Sequence, residues 1–213
     1  MFGPLRRNRR MAGAGLLTAA LVCVAASATV ALGDSHGRGA TFAALSCGAQ
    51  VTTSVTLTAD IGPCPPSTDG IDIVASGIRV NLNGHSITGT NSTNNTTSEP
   101  VGIGLMNVHD VTLTGPGTVQ NFDAGVSVNG GYGNTIKNLT AQNNVAHVLF
   151  SGGVDPTNLE ATPCDYGDGV LTDNSNNNLI QNVTATGNGP FDGIALVDAS
   201  NYNKVVGSKS YNN

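Results

Sequence analysis

The stretch that decides the fold is Gly102-Ile103-Gly104-Leu105, in which a glycine begins a short alternating apolar segment. The pattern returns along the chain as Gly125-Val126-Ser127-Val128, Gly169-Val170-Leu171-Thr172 and Gly193-Ile194-Ala195-Leu196. The interval from Gly125 to Gly169 is 44 residues, and His147-Val148-Leu149-Phe150 lies at its midpoint, so the period stays at 22 to 24 residues. A fixed period of this size is typical of a solenoid, in which functional sites combine residues one repeat apart.

A second apolar patch follows the glycine motif within each full repeat. It has the sequence Thr135-Ile136-Lys137-Asn138-Leu139-Thr140 in one repeat and Leu179-Ile180-Gln181-Asn182-Val183-Thr184 in another. Both patches alternate as β-strands do, and clusters of asparagine and glycine separate them. Two or three short strands per repeat predict one rung of a parallel β-helix. Asn138 and Asn182, at equivalent positions, predict an internal ladder of amide side chains.

The combined pattern resembles the right-handed parallel β-helix repeat of the pectin-lyase-like superfamily in its secreted bacterial form. The segment Val80-Asn81-Leu82-Asn83-Gly84-His85-Ser86-Ile87-Thr88-Gly89 resembles a first coil of such proteins, and the resemblance covers roughly residues 50–213. It implies an all-β solenoid. The superfamily includes polysaccharide lyases and hydrolases, a periplasmic copper-maturation protein and surface proteins, so the fold alone does not choose a function.

The repeat pattern also predicts the domain organisation. Glycine motifs near residues 70, 102, 125, 147, 169 and 193 predict about six coils over residues 70–213, preceded by an N-terminal cap region at 34–69. The chain stops where another motif is due and before any polar cap, although solenoids use caps for solubility. We therefore expect either that the sequence is a fragment or that this end pairs with something.

Residues 1–33 have the layout of a secretory signal peptide. Four arginines between Arg6 and Arg10 precede an apolar run from Met11 to Val24, which is followed by small residues suited to cleavage. The apolar run is short for a bilayer span. We expect a secreted or cell-envelope protein with no membrane span once this segment is removed.

Charge narrows the class of partner. From Asp34 onward, five lysines and arginines face 14 acidic residues, a net charge of −9. Nucleic acids and anionic membranes bind basic patches, so neither is an expected partner. Long acidic polysaccharides are disfavoured too, unless a cation such as calcium bridges them.

Three cysteines follow the leader. Cys47 and Cys64 are 17 residues apart and flank the strand-like Val55-Thr56-Leu57-Thr58, which predicts a disulfide in an exported protein. Cys164 is left over, either free or paired with a part of the molecule outside this sequence.

An Asp-Gly pair recurs at one point of the repeat, at Asp69, Asp168 and Asp192. The last two belong to adjacent rungs and are expected about 5 Å apart. Such carboxylates could share a proton in acid–base catalysis, chelate calcium, or simply form the turn before the strand. Of these, the turn is the simplest interpretation, and Asp168 and Asp192 are the catalytic candidates.

The segment Ser151–Asp168 interrupts the period and lacks the second patch. It contains Asp155, Glu160 and Asp165, three oxygen donors of the kind that calcium prefers, although their spacing matches no known calcium loop. Asp165 and Tyr166 are the candidates for contact with a substrate, because loops that project from a scaffold commonly build its binding site. A solvated acidic loop is the alternative.

The outward rows offer few catalytic groups. Beside the glycine motif the predicted row is small or apolar, and on the second patch it is Arg79, Thr112, Lys137, Gln181 and Val206. Lys137 is the candidate base for a lyase, which abstracts a proton next to a carboxyl group. Copper would need clustered His, Cys or Met, and only Met106 and His109 lie close in sequence.

These observations favour an exported β-helix that binds or processes an extracellular polysaccharide. The alternative is a non-catalytic envelope protein that serves as a structural rod or a surface for protein contacts. A periplasmic copper-maturation role is third. Calcium is the one cofactor that the residues suggest.

Overall fold

The computed structural model describes residues 40–90, 100–145 and 167–213. These residues form 18 short strands, β1 to β18 in chain order, and no helix. The strands assemble into three sheets, in which every pair is parallel and joins strands of successive turns of the chain. The architecture is a right-handed parallel β-helix, as the 22-residue period predicts.

Sheet A has seven strands. In spatial order they are β1 (Thr41–Ala43), β3 (Val55–Leu57), β5 (Arg79–Asn81), β8 (Thr112–Thr114), β11 (Thr135–Lys137), β14 (Leu179–Gln181) and β17 (Lys204–Val206).

Sheet B has six strands and contains the glycine motifs. Its strands are β2 (Ala49–Val51), β4 (Ile71–Ile73), β7 (Val101–Met106), β10 (Ala124–Asn129), β13 (Val170–Asp173) and β16 (Ile194–Val197).

Sheet C has five strands. They are β6 (Ser86–Thr88), β9 (Thr118–Gln120), β12 (Thr140–Gln142), β15 (Thr184–Thr186) and β18 (Lys209–Tyr211).

The core consists of aliphatic side chains stacked in register. In sheet A, Val80, Leu113, Ile136 and Ile180 lie directly above one another, and all are fully buried. Each three-residue strand directs its middle residue inward, because successive side chains of a strand point to opposite faces. Burial of each such side chain contributes about 1.5–3 kcal/mol, so a repeated apolar position is enough to specify the stack.

The rung predicted at His147 is wrong. Strand β10 pairs directly with β13, with Val126 opposite Val170, and the same skip occurs between Ile136 and Ile180 in sheet A. Residues 146–166 are therefore an insertion within one turn. They lack the second apolar patch, so they offer no strand for sheet A. The sixth rung of sheet B is β2, which the glycine motif does not mark.

Parallel pairing begins before the predicted boundary at residue 70. Ala49 lies opposite Ile71 and Val55 opposite Val80, so residues assigned to a cap extend the sheets back to Thr41. These early strands lack the glycine, which is why the period misses them. The predicted disulfide is confirmed: Cys47 and Cys64 are bonded, with their Cα atoms 5.5 Å apart. Cys164 lies outside the described residues, as does the predicted leader.

Asparagine has two separate structural roles. Asn138 and Asn182 are exposed at a corner with positive φ values of 58° and 52°, a conformation that asparagine tolerates, and their amides are 3.3 Å apart on the outside of the coil. The predicted internal position for this pair is therefore wrong. The internal ladders are formed by the series Asn134, Asn178, Asn203 and the series Asn144, Asn188, Asn213.

Candidate functional site

The Asp-Gly residues occupy one corner, at the start of the sheet B strands. The Oδ1 atom of Asp168 accepts a hydrogen bond of 2.7 Å from the backbone N–H of Asp192, and Oδ1 of Asp69 accepts an equivalent bond of 2.7 Å from Val101. Each carboxylate thus connects its rung to the next one. The Asp168 side chain is fully buried whereas Asp192 is exposed. This geometry favours the turn-forming interpretation, because a buried, backbone-bonded carboxylate has little access to a solvent-borne substrate.

Two other carboxyl groups are electrostatically perturbed. Burial raises the pKa of Asp69, although the hydrogen bond from Val101 opposes the rise. Burial also raises the pKa of Asp72, and the nearby negative charge of Asp69 adds to the effect. Asp72 projects from the outer face of β4, and its Oδ1 lies over Gly104 of the next rung, where a Cβ would be only 2.7 Å away. The sequence analysis assigned Asp72 no role; its signal is the Asp69–Asp72 spacing.

Lys137 does not join this corner. It is half-buried on the outer face of sheet A, between Thr114 and Gln181 of the neighbouring strands. The predicted row mixes two columns: Arg79 aligns with Thr112 and Thr135, not with Lys137. The register that skips residues 146–166 does not cause this error. The outward positions of the earlier strands were offset by two residues, which keeps them on the same face but in another column.

Asp155, Glu160, Asp165 and Tyr166 lie outside the described residues. Within residues 40–90, 100–145 and 167–213, no three His, Cys, Asp or Glu side chains cluster to hold a metal ion. The ends of the intervening segment are well defined. The N–H of Val145 donates to the carbonyl of Phe122 at 2.8 Å, and that of Gly167 to the carbonyl of Asp123 at 2.6 Å. Both ends are therefore held at adjacent residues, in the corner that contains Asp168.

An exposed aromatic pair lies at a different corner, between sheets B and A. The rings of His109 and Tyr132 are stacked, with centroids 4.8 Å apart and planes inclined by only 4°. Tyr132 is 52% exposed. The imidazole Nδ1 lies 3.0 Å from Oδ2 of Asp110, which fixes the orientation of the histidine ring. A parallel bridge continues from Tyr132 to Asn176.

This aromatic pair belongs to a longer series of polar groups. Ser76 Oγ accepts a hydrogen bond of 3.0 Å from the His109 N–H, and Asn176 Oδ1 accepts one of 2.8 Å from the Asn201 N–H. We call the five residues the corner row: Ser76, His109, Tyr132, Asn176 and Asn201. Their rungs are about 4.8 Å apart, so the row is about 19 Å long. The sequence analysis considered His109 only as a copper ligand, because the 23 residues that separate it from Tyr132 conceal the stacking.

No described helix has the length and apolar character required to span a membrane. No curated protein matches the chain significantly. Among solved structures, the Dettilon tailspike protein (gp208) is similar over 76% of this chain and 38% of its own, with 15% sequence identity and a TM-score of 0.41. The chain thus spans well under half the length of that structure.

The periodic asparagine corners and buried aliphatic stacks extend through the region that a family comparison recognises. Residues 48–213 match the family described as "Periplasmic copper-binding protein (NosD)", which is more than three quarters of the chain. The protein therefore belongs to the NosD family of right-handed β-helix proteins.

Proposed function

We propose that the protein is an exported glycan-binding β-helix that contacts an extracellular polysaccharide through its corner row. The observation that carries this proposal is the coplanar stack of His109 and Tyr132 on the surface. Exposed aromatic rings provide a flat apolar platform with a polar edge, which suits the alternating C–H and hydroxyl surface of a sugar ring. A solvated structural surface has no need of two aligned aromatic rings.

The neighbouring groups support the same ligand class. Ser76, Asn176 and Asn201 supply a hydroxyl and two amides on the rungs beside the aromatic pair, and both groups donate and accept hydrogen bonds. The row is elongated, which fits a linear polymer. Because the chain after the predicted leader has a net charge of −9, we propose a neutral glycan rather than an acidic one.

Binding without turnover is the form of the proposal that the carboxylate geometry favours. Asp168 is buried and bonded to backbone, Asp192 is exposed, and Lys137 lies on another sheet. A catalytic role for these three residues remains a prediction. It is checked by measuring the release of reducing or unsaturated sugars from polysaccharides that bind.

The test of glycan binding is affinity electrophoresis or thermal shift against a panel of neutral polysaccharides. Tyr132→Ala is expected to weaken binding about tenfold or more, through loss of stacking worth over 1 kcal/mol. Tyr211→Ala is the matched control, since Tyr211 is similarly exposed but lies on sheet C, away from the row. Equal binding by both variants, or no binding by the parent protein to any glycan, would contradict the proposal.

Copper binding is the second candidate, favoured by the description of the family. Met106 is 54% exposed at the end of β7, and His109 follows three residues later; thioether and imidazole are ligands for copper. Titration with Cu(I) under a competing chelator tests this role. Met106→Leu is expected to weaken copper binding and leave glycan binding intact, whereas Tyr132→Ala is expected to do the reverse. Copper binding unaffected by Met106→Leu rules out this pair.

A further inference from the structure

The outer face of sheet C differs chemically from the other two faces. On the strands β6, β9, β12 and β15 its outward side chains form two columns. One column is Ser86, Thr118, Thr140 and Thr184, and the other is Thr88, Gln120, Gln142 and Thr186. We call these eight residues the hydroxyl face. It contains only hydroxyl and amide groups, with the inward residues between them buried.

The absence of charge is specific to this face. The outer face of sheet A carries Arg79, Lys137 and Lys204, and that of sheet B carries Asp72 and the apolar Leu171. In sheet C the first charged outward residue is Lys209, on the last strand. An acidic protein that keeps four consecutive rungs free of charge presents a surface suited to an uncharged partner.

The hydroxyl face is regular in two directions. Residues pair one to one without a bulge from Ser86 to Thr184, so each column repeats at about 4.8 Å along the rod. The two columns are two residues apart on each strand, which separates them by about 6.6 Å. A β-helix sheet is thus a small two-dimensional lattice of oxygen and nitrogen atoms.

The side chains of this face are held in place. Threonine is branched at Cβ and therefore restricted in χ1. The amide of Gln142 donates to Oε1 of Gln120 at 2.8 Å, and the amide of Gln120 donates to Oγ1 of Thr88 at 3.2 Å. These bonds run along the rod axis, so the two glutamines lie along the face instead of extending freely into solvent.

The threonine hydroxyls of the first column are available to water. Within the described residues, the side chains of Thr118, Thr140 and Thr184 make no hydrogen bond to another protein group, and each is partly exposed. Waters bound to such a column take its spacing. An immobilised water costs up to about 2 kcal/mol of entropy, and a rigid array meets this cost before a partner arrives.

We propose that the hydroxyl face binds the surface of ice. The partner that matches this face is an uncharged, rigid lattice of hydrogen-bonding groups, and its two repeats lie close to the repeats of oxygen atoms on ice surfaces. Aromatic rings are absent from the eight positions, which separates this face from the corner row and its sugar ligand. The inference is independent of the proposed glycan function, because the two surfaces share no residue.

The experiment measures inhibition of ice recrystallisation and the shaping of single ice crystals by the purified protein. Thr140→Lys introduces a charge at the centre of the face without changing the core, and is expected to raise the protein concentration needed about tenfold or more. Thr112→Lys is the matched control, because Thr112 is an outward, partly exposed threonine on sheet A. Circular dichroism and the unfolding midpoint verify that both variants are folded.

Thr140→Val separates the contribution of the hydroxyl from that of side-chain shape, and is expected to reduce activity less than lysine does. Three results would overturn the proposal. The parent protein could lack any effect on ice at high micromolar concentration, or Thr112→Lys could reduce the effect as much as Thr140→Lys. The parent could also bind microcrystalline cellulose through Thr140 and leave ice unaffected, which would assign the face to a neutral polysaccharide surface instead.

Discussion

The buried carboxylate of Asp168 accepts a hydrogen bond of 2.7 Å from the backbone N–H of Asp192, one rung further along the helix. The same bond joins Asp69 to Val101. A feature that the sequence presents as a pair of facing carboxylates is therefore, in structural terms, a connection between one side chain and the backbone of the following turn.

This connection predicts an asymmetric effect of mutation. Asp168→Ala should lower the free energy of unfolding by about 1–3 kcal/mol, because a buried backbone donor loses its acceptor. Asp192→Ala should cost less than about 0.5 kcal/mol, since the exposed side chain contributes no such bond. Urea unfolding of the two variants measures the difference. Equal losses would indicate that the two carboxylates act as a pair.

The raised pKa of Asp72 predicts a dependence of stability on pH. A carboxyl whose pKa is higher in the folded protein than in the unfolded chain holds its proton more tightly when folded. Stability therefore decreases as pH rises through the pKa range of this group, and the loss is complete at neutral pH. Asp72→Asn should raise the melting temperature at pH 7 and have little effect at about pH 3. Asp110→Asn, at an exposed carboxyl with no raised pKa, serves as the control for loss of a negative charge. A stabilisation by Asp72→Asn that persists unchanged at low pH would rule out this origin.

The buried asparagine ladders predict a large difference between chemically identical residues. Asn144 is fully buried; its Oδ1 accepts from the N–H of Phe122, and its amide donates to Asn188. Asn144→Ala should cost about 2–4 kcal/mol, because several buried polar groups lose partners at once. Asn138→Ala, at an exposed corner, should cost about 1 kcal/mol through its positive φ. Chemical denaturation compares the two, and a cost for Asn138→Ala as large as that for Asn144→Ala would refute the assignment of the ladder.

Calcium is the remaining prediction from the acidic segment at Asp155, Glu160 and Asp165. If these residues hold the ion in the folded protein, removal with a chelator should lower the melting temperature, by the stabilisation that any ligand of the native state provides. Asp155→Asn combined with Glu160→Gln should abolish the difference between calcium and chelator. An unchanged melting temperature after chelation eliminates the site. Magnesium, added at the same ionic strength, controls for screening.

The fold could be predicted because the solenoid repeats one physical requirement many times. Ile103, Val126 and Val170 each fill the same interior position, and glycine precedes each of these strands at a crowded corner. The earliest rung escaped prediction because β2 satisfies the interior with Ala49 and Val51 but lacks the glycine. The false rung at His147 arose because an interval of 44 residues is arithmetically two periods, and periodicity cannot distinguish a turn from an insertion of equal length.

The candidate sites were harder to predict for a related reason. Sequence indicates which residues share a rung position only where the register is known, and the register depends on the true number of rungs. His109 and Tyr132 are stacked because a backbone bridge aligns them, whereas Arg79 and Lys137 occupy different columns. The burial that raises the pKa of Asp72 likewise depends on side chains from neighbouring rungs, which a single-strand pattern does not contain.

The bonds from Val145 to Phe122 and from Gly167 to Asp123 have an evolutionary consequence. They set the separation of the two ends of the intervening segment by the geometry of one turn, independently of how many residues lie between. Doubling such a segment costs only about 0.6 kcal/mol in closure entropy. This corner is therefore a place where new sequence can be acquired, lengthened or exchanged while the strands on either side keep their register, so that relatives can diversify there without rebuilding the scaffold.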